Sequence, residues 1–150
     1  MTDYELVLEA LKARKRAYAP YSTHGVGAAL LCEDDKVFLG CNVENAAYGP
    51  SNCAERTAVF KAISEGYDNF KKIAIVGGLN DKTSLGFCAP CGVCRQVLME
   101  FVNPKKFEVI LAKIDNYKDV DKLSESDVEL KVLPFEELLP LGFGPENMRK

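Results

Sequence analysis

The sequence predicts an α/β protein, a mixed sheet with helices packed over it. Two strand-length apolar runs joined by a charged turn read as a hairpin, and helical and strand patterns alternate after it. The chain has no internal repeats, low-complexity tracts or linkers to divide it. With 150 residues, 47% hydrophobic and 27% charged, it reads as one domain spanning 1–150, able to hold a core without disulfides.

The elements follow in order. Thr2 with Glu5 three residues later is a capping box, and Val7, Leu8, Ala10 and Leu11 carry an amphipathic helix to about Ala17. The basic end of this helix, Lys12, Arg14, Lys15 and Arg16, reads as a solvated last turn complementing the dipole. No aromatic residues interleave there to suggest base stacking. Residues 25–32 and 37–41 form the hairpin, and a polar loop over 42–52 leads to a helix over 53–64 stopped by Gly66. Residues 73–79 are a buried strand, and 91–101 a further helix ending before Pro104. Residues 107–114 and 129–133 supply the fourth and fifth strands. Pro134 suits the first position of a short closing helix through Leu139.

Charge and cysteine usage narrow the function. Lys plus Arg total 19 against 22 Asp plus Glu, a net charge of −3 that gives no general attraction to nucleic acid or anionic membrane. The apolar runs are strand-length, too short for a membrane span, and the first residues lack the pattern of a signal peptide. Six cysteines in that setting imply reduced thiols and a cytoplasmic protein. Three disulfides in a small exported domain are the alternative. With one histidine in the chain, a side-chain metal site must draw mostly on thiolates.

Three cysteines fall at helix starts: Cys53 at one, Cys91 and Cys94 at the other. The N–H groups and partial positive charge of a helix N-terminus favour the thiolate that zinc needs. If parallel strands bring the two starts together, three sulfurs bind one ion and leave a tetrahedral position open. Three thiolates leave such a site with net negative charge, which Arg56 can offset by donating to the sulfurs. Glu55 is then placed beside the metal as a proton shuttle. Alternatives stand beside this. Glu55 also suits the third position of a capping box opened by Asn52. Cys91 and Cys94 fit a thiol redox pair, and Cys88 could close a four-cysteine structural zinc site. Cys32 and Cys41 read as buried core thiols.

These residues resemble the zinc-dependent cytidine deaminases of the small homotetrameric class. The metal motif matches the zinc deaminase signature in its three-cysteine form. Similar blocks run along the chain: Tyr21-Ser22 with Val26-Gly27-Ala28-Ala29-Leu30, Gly40 through Gly49, Asn52 through Arg56, Pro90 through Gln96, and Leu138-Leu139-Pro140 with Phe143-Gly144-Pro145-Glu146. The resemblance implies a three-layer α/β/α fold on a mixed five-stranded sheet. It implies one Zn²⁺ per subunit on Cys53, Cys91 and Cys94, with Arg56 supporting the sulfurs. The activity implied is hydrolytic deamination of cytidine and deoxycytidine to uridine and deoxyuridine with release of ammonia, in pyrimidine salvage. By the same resemblance, Glu55 would take a proton from water, protonate ring N3 and serve the leaving ammonia, while hydroxide attacks C4. Asn42 and Glu44 would bind the ribose, and the Ala54 and Cys91 backbone would help fix the base and water. Tyr48 and Phe143 would pack on or near the active sites of neighbouring subunits in a homotetramer. From the residues alone, Asn42 and Glu44 also fit a polar turn, and Phe143 an ordinary aromatic in a loose tail.

Two departures stand out. His24-Gly25 replaces an aromatic pair whose ring stacks on the pyrimidine, so His24 is either a stacking imidazole or a solvated loop residue. Cys88 stands where the family more often has no thiol. The alternatives for function are therefore a related aminohydrolase, such as one acting on blasticidin S, and a noncatalytic zinc scaffold.

Overall fold

The computed structural model describes residues 1–149. In chain order the elements are α1 (Asp3–Arg14), β1 (His24–Cys32), β2 (Val37–Cys41), α2 (Ala54–Ser64), β3 (Phe70–Leu79), α3 (Gly92–Phe101), β4 (Glu108–Ile114), β5 (Val128–Pro134) and α4 (Pro145–Met148). Short 3₁₀ turns cover Val120–Lys122, Glu125–Asp127 and Phe135–Glu137. No helix among the described residues is long and apolar enough to cross a membrane.

The sheet is mixed and five-stranded, in the order β2-β1-β3-β4-β5. Only the β3–β4 pair is parallel. Side chains alternate between two cores with the period of a strand. Ala28, Leu30, Ile73, Ile75, Val109 and Leu111 face α2 and α3, whereas Ala29, Leu31, Ala74, Val76, Ile110 and Ala112 face Leu6, Val7, Ala10 and Leu11 of α1. Helices thus cover both faces, giving the three-layer α/β/α arrangement.

The Thr2–Glu5 capping box forms as the sequence indicates, with Glu5 N–H donating to Thr2 Oγ1 at 3.1 Å and Thr2 N–H to Glu5 Oε2 at 2.8 Å. Helix α1 ends earlier than expected, at Arg14, because the next two N–H groups bond three residues back and tighten the turn. Nor is its basic end solvated throughout. Arg14 is half-buried, and its guanidinium donates to the carbonyls of Gly25 and Gly78 at 2.9 Å, fastening α1 across β1 and β3. The expected closing helix from Pro134 is instead a single 3₁₀ turn, with Pro134 the last residue of β5. The cause is tertiary. Phe135 N–H donates to Phe107 O at 2.9 Å, and the buried Phe135 ring packs edge-on against Phe107. The tail is ordered by α4, with Pro145 in its first turn and Asn147 Oδ1 accepting the Gly144 N–H.

Strand direction decides where the site forms. Strands β2 and β3 both run antiparallel to β1, so they point the same way on either side of it. Gly27 of β1 is level with both Cys41 and Val76, near the ends of β2 and β3 from which the chain proceeds toward α2 and α3. Two same-direction strands therefore bring the helix starts together, as expected of parallel strands, with the antiparallel β1 lying between them.

Candidate active site

Cys53 and Cys91 are the N-cap residues of α2 and α3, both in extended conformation, and neither sulfur caps its own helix. Cysteine is not among the residues that favour this position, so both sulfurs stay free for another partner. Cys94 lies buried in the first turn of α3. The three sulfurs lie within 4.8 Å of one another, with Cys53 Sγ and Cys91 Sγ 3.7 Å apart. Cys88 is outside this cluster, so no fourth thiolate closes the site. All six cysteines are free of disulfides; Cys32 is buried as expected, but Cys41 is only half-buried.

Arg56 Nη2 donates to Cys53 Sγ at 3.2 Å, while its buried Nε has no hydrogen-bond partner among the described residues. Burial opposes the Arg56 charge, but the bonds to the Cys53 and Cys94 sulfurs outweigh it and raise its pKa. The Cys94 thiol and Arg56, against the opposing effect of burial, hold Cys53 down to about 5. The same contact, with burial, pushes Cys94 up. Three soft sulfur donors, two helix N-termini and a supporting guanidinium match the requirements of zinc, and the cluster fits one Zn²⁺ per subunit.

Glu55 is the one charged residue buried in the described chain, at 4% exposure. Because Cys53 is the N-cap, Glu55 occupies the second helical position, and the capping box with Asn52 does not form. Asn52 Nδ2 donates instead to Thr57 Oγ1, whose hydroxyl donates to Cys53 O. Burial, reinforced by the Cys53 charge, pushes the Glu55 carboxyl up to about 7. Gly40 lets α2 settle close to β2: a Cβ there would overlap Ala54 O and lie 2.5 Å from Ala58 N.

A cleft of about 340 Å³ opens over this floor. Cys53, Ala54, Glu55, Arg56, Cys88 and Cys91 line one part of it, and Val26, Asn42, Glu44, Ser51, Asn52 and Ala89 the rest. Asn42 and Glu44 face the same space, as their spacing on an extended segment requires. Asn42 Oδ1 accepts Val26 N–H and its Nδ2 donates to His24 O, both at 2.8 Å. Glu44 accepts from the Ser22 hydroxyl, Ser22 N–H and Tyr21 N–H, which hold its carboxyl below the ordinary range. Burial pushes the Cys88 thiol up to about 11, and a Cβ on Gly77 would sit 2.8 Å from its Sγ.

His24, Tyr48 and Phe143 are not among the lining residues. His24 opens β1, two residues before Val26. Tyr48 is 76% exposed, edge-on to Tyr21, and borders a second cavity that shares Glu44 and Ser51 with the cleft. Phe143 is 58% exposed, and its carbonyl accepts from Gln96 Nε2 at 2.8 Å. Residue patterns alone missed the supports Arg95 and Ser22. Arg95 donates to Pro90 O and Leu138 O at 2.8 Å, tying the loop before Cys91 to the tail. Its place one residue after Cys94 was the available signal; Ser22 had none, because its partner Glu44 is distant in sequence.

A three-layer α/β fold with three sulfurs at two helix starts, beside a buried carboxyl in an open cleft, defines the class of zinc-dependent hydrolytic enzymes. The family model for the cytidine and deoxycytidylate deaminase zinc-binding region matches residues 1–110. Among curated relatives, a cytidine deaminase of Sporosarcina psychrophila is 52% identical over 99 residues, 66% of this chain and 69% of that protein. One of Halalkalibacterium halodurans is 43% identical over 143 residues, 95% of each chain. The crystal structure of cytidine deaminase from Burkholderia pseudomallei aligns with a TM-score of 0.76 at 46% identity, covering 95% of this chain and 100% of that one. The chain belongs to the zinc-dependent cytidine deaminase family.

Proposed function

We propose that this protein, as a one-domain subunit, hydrolyses the C4 amino group of cytidine and deoxycytidine, giving uridine or deoxyuridine and ammonia. The observation that carries this reading is the buried Glu55 carboxyl beside the three-sulfur cluster in an open cleft. Cys53, Cys91 and Cys94 would hold the zinc. When bound, the ion supplies a Lewis acid with an open position, which brings water toward ionisation near neutral pH. Glu55 takes one proton from the attacking water and transfers it to ring N3, then takes the second from the hydroxyl now on C4 and delivers it to the departing amine. The water oxygen becomes the C4 carbonyl oxygen and ammonia leaves. The Ala54 and Cys91 backbone, at the two helix starts, orients the base and the water.

Asn42 and Glu44 bind the sugar hydroxyls, each retaining hydrogen-bonding capacity beyond its contacts within the chain. His24 supplies the base-stacking ring from the start of β1. The exposure of Tyr48 and Phe143 suits a homotetramer in which each reaches a neighbouring active site. The substrate is a small nucleoside and not nucleic acid, in keeping with the net charge of −3. Pyrimidine salvage in the cytoplasm is the corresponding setting.

The test is a panel of cytidine, deoxycytidine, cytosine, deoxycytidylate and blasticidin S, followed by loss of the aminopyrimidine absorbance. Turnover confined to the two nucleosides is expected. Turnover chiefly of blasticidin S transfers the chain to a related aminohydrolase, and none at all to a zinc scaffold. Cys88→Ser is expected to keep one zinc per subunit by metal analysis; loss of the metal would revive the four-cysteine site.

A further inference from the structure

Glu44 borders both the cleft and the neighbouring cavity that Tyr21 and Ser22 line, and two irregular segments meet at it. Tyr18 N–H donates to Asn42 O at 2.9 Å and Glu44 N–H to Tyr18 O at 2.8 Å, so the backbones pair where the segments begin. Farther on, backbone pairing gives way to side chains. The Glu44 carboxylate accepts Tyr21 N–H and Ser22 N–H, each at 3.0 Å on Oε1, and the Ser22 hydroxyl on Oε2. The same Ser22 Oγ accepts His24 N–H at 3.1 Å, at the first residue of β1. Between them Thr23 has a positive φ of 55°, a conformation uncommon for a threonine, which the bonds on either side hold in place.

Counting lone pairs gives this arrangement a consequence. A carboxylate offers about four acceptor sites. Two on Oε1 and one on Oε2 are taken within the turn, which leaves one on Oε2, the oxygen that Ser22 orients. We propose that Ser22 is a positioning residue for substrate recognition, its hydroxyl fixing Glu44 so that one Oε2 lone pair faces the cleft for a sugar hydroxyl. This rests on the reading of Glu44 as a sugar contact. Without the Ser22 hydroxyl, Oε2 loses its orienting donor and His24 N–H its acceptor, while the zinc floor keeps all its own contacts.

The experiment is steady-state kinetics on zinc-loaded enzyme with cytidine, together with thermal unfolding. Ser22→Ala is expected to raise KM about tenfold, the equivalent of one lost hydrogen bond to a charged group, with kcat within about twofold. Ser22→Thr, which restores the hydroxyl, recovers most of that loss. Glu44→Gln raises KM at least as far, and adding Ser22→Ala to it brings less than a further twofold, because both act through one carboxylate. Should the alanine variant fail to fold, Ser22→Cys keeps the volume with a weaker donor and is expected to show the same rise in KM.

An unchanged KM in Ser22→Ala, a fall confined to kcat, or full additivity with Glu44→Gln overturns the proposal while leaving the sugar contact standing. An unchanged KM in Glu44→Gln removes the sugar contact itself, and this proposal with it.

Discussion

The floor and the rim of the cleft are built by opposite means. The floor hangs on two helix starts: Cys53, Glu55 and Arg56 come from the first turn of α2, and Cys91 and Cys94 from that of α3. Glu55 and Cys94 are buried there, with neighbours set by the sheet beneath. The rim has no such support. Asn42 and Glu44 lie on a loop whose backbone pairs with Tyr18, and their side chains bond to the backbone of the segment that runs through Tyr21 and Ser22 into β1. On the proposed function, charge placement for bond-breaking would sit on the rigid part, and substrate recognition on the part a few hydrogen bonds can retune.

Removal of zinc tests the floor hardest. Chelation is expected to abolish deamination and lower the midpoint of thermal unfolding by about 10 °C, since a ligand near a thousandfold above its Kd adds ~4 kcal/mol. Restored zinc restores both, and turnover by stripped protein would break the comparison. Next, Glu55→Gln is expected to lower kcat by about 10²–10⁴-fold, with zinc content by metal analysis unchanged, because the carboxyl is outside the sulfur cluster. A kcat within tenfold of the parent would remove Glu55 from proton transfer.

Gly40→Ala asks how rigidly the floor is held. The new methyl overlaps the Ala54 carbonyl, so α2 must shift. Destabilisation of about 1–3 kcal/mol is expected by denaturant titration, with kcat/KM falling up to about 10²-fold. An active, fully stable variant would mean that the helix start tolerates displacement.

The smallest effect belongs to the rim and to acid. The Ser22 hydroxyl, together with the Ser22 and Tyr21 N–H groups, depresses the Glu44 pKa from 4.5. Its stabilising contribution is therefore complete above that value and lost as pH falls through the depressed one. The parent is expected to melt slightly above Glu44→Gln at neutral pH, with the gap closing below pH 4.5. A gap that widens in acid would mean that the carboxyl gains nothing from the turn.

The parts of the molecule written in local pattern were legible in the sequence. The Thr2–Glu5 box, the five strands and the paired helix-start cysteines rest on neighbours within a turn or two of chain. Glu55 shows the limit: its spacing from Asn52 also suited a capping box, and only the structure, with Cys53 at the N-cap, decides between that and a place beside the sulfurs. The solvated Arg14 and the closing helix from Pro134 failed for a related cause, since the Gly78 and Phe107 carbonyls that hold Arg14 and Phe135 are set by tertiary packing. The Ser22–Glu44 bond spans 22 residues with no periodicity to announce it.

The flanking of β1 by two same-direction strands also has a kinetic consequence. The β1–β2 hairpin needs only a short turn and closes early, whereas β3 must cross the loop and helix between before it pairs with β1. Cys53 and Cys91, 38 residues apart in sequence, meet only after that long-range pairing. The complete thiolate site thus exists only in chains whose central sheet is formed.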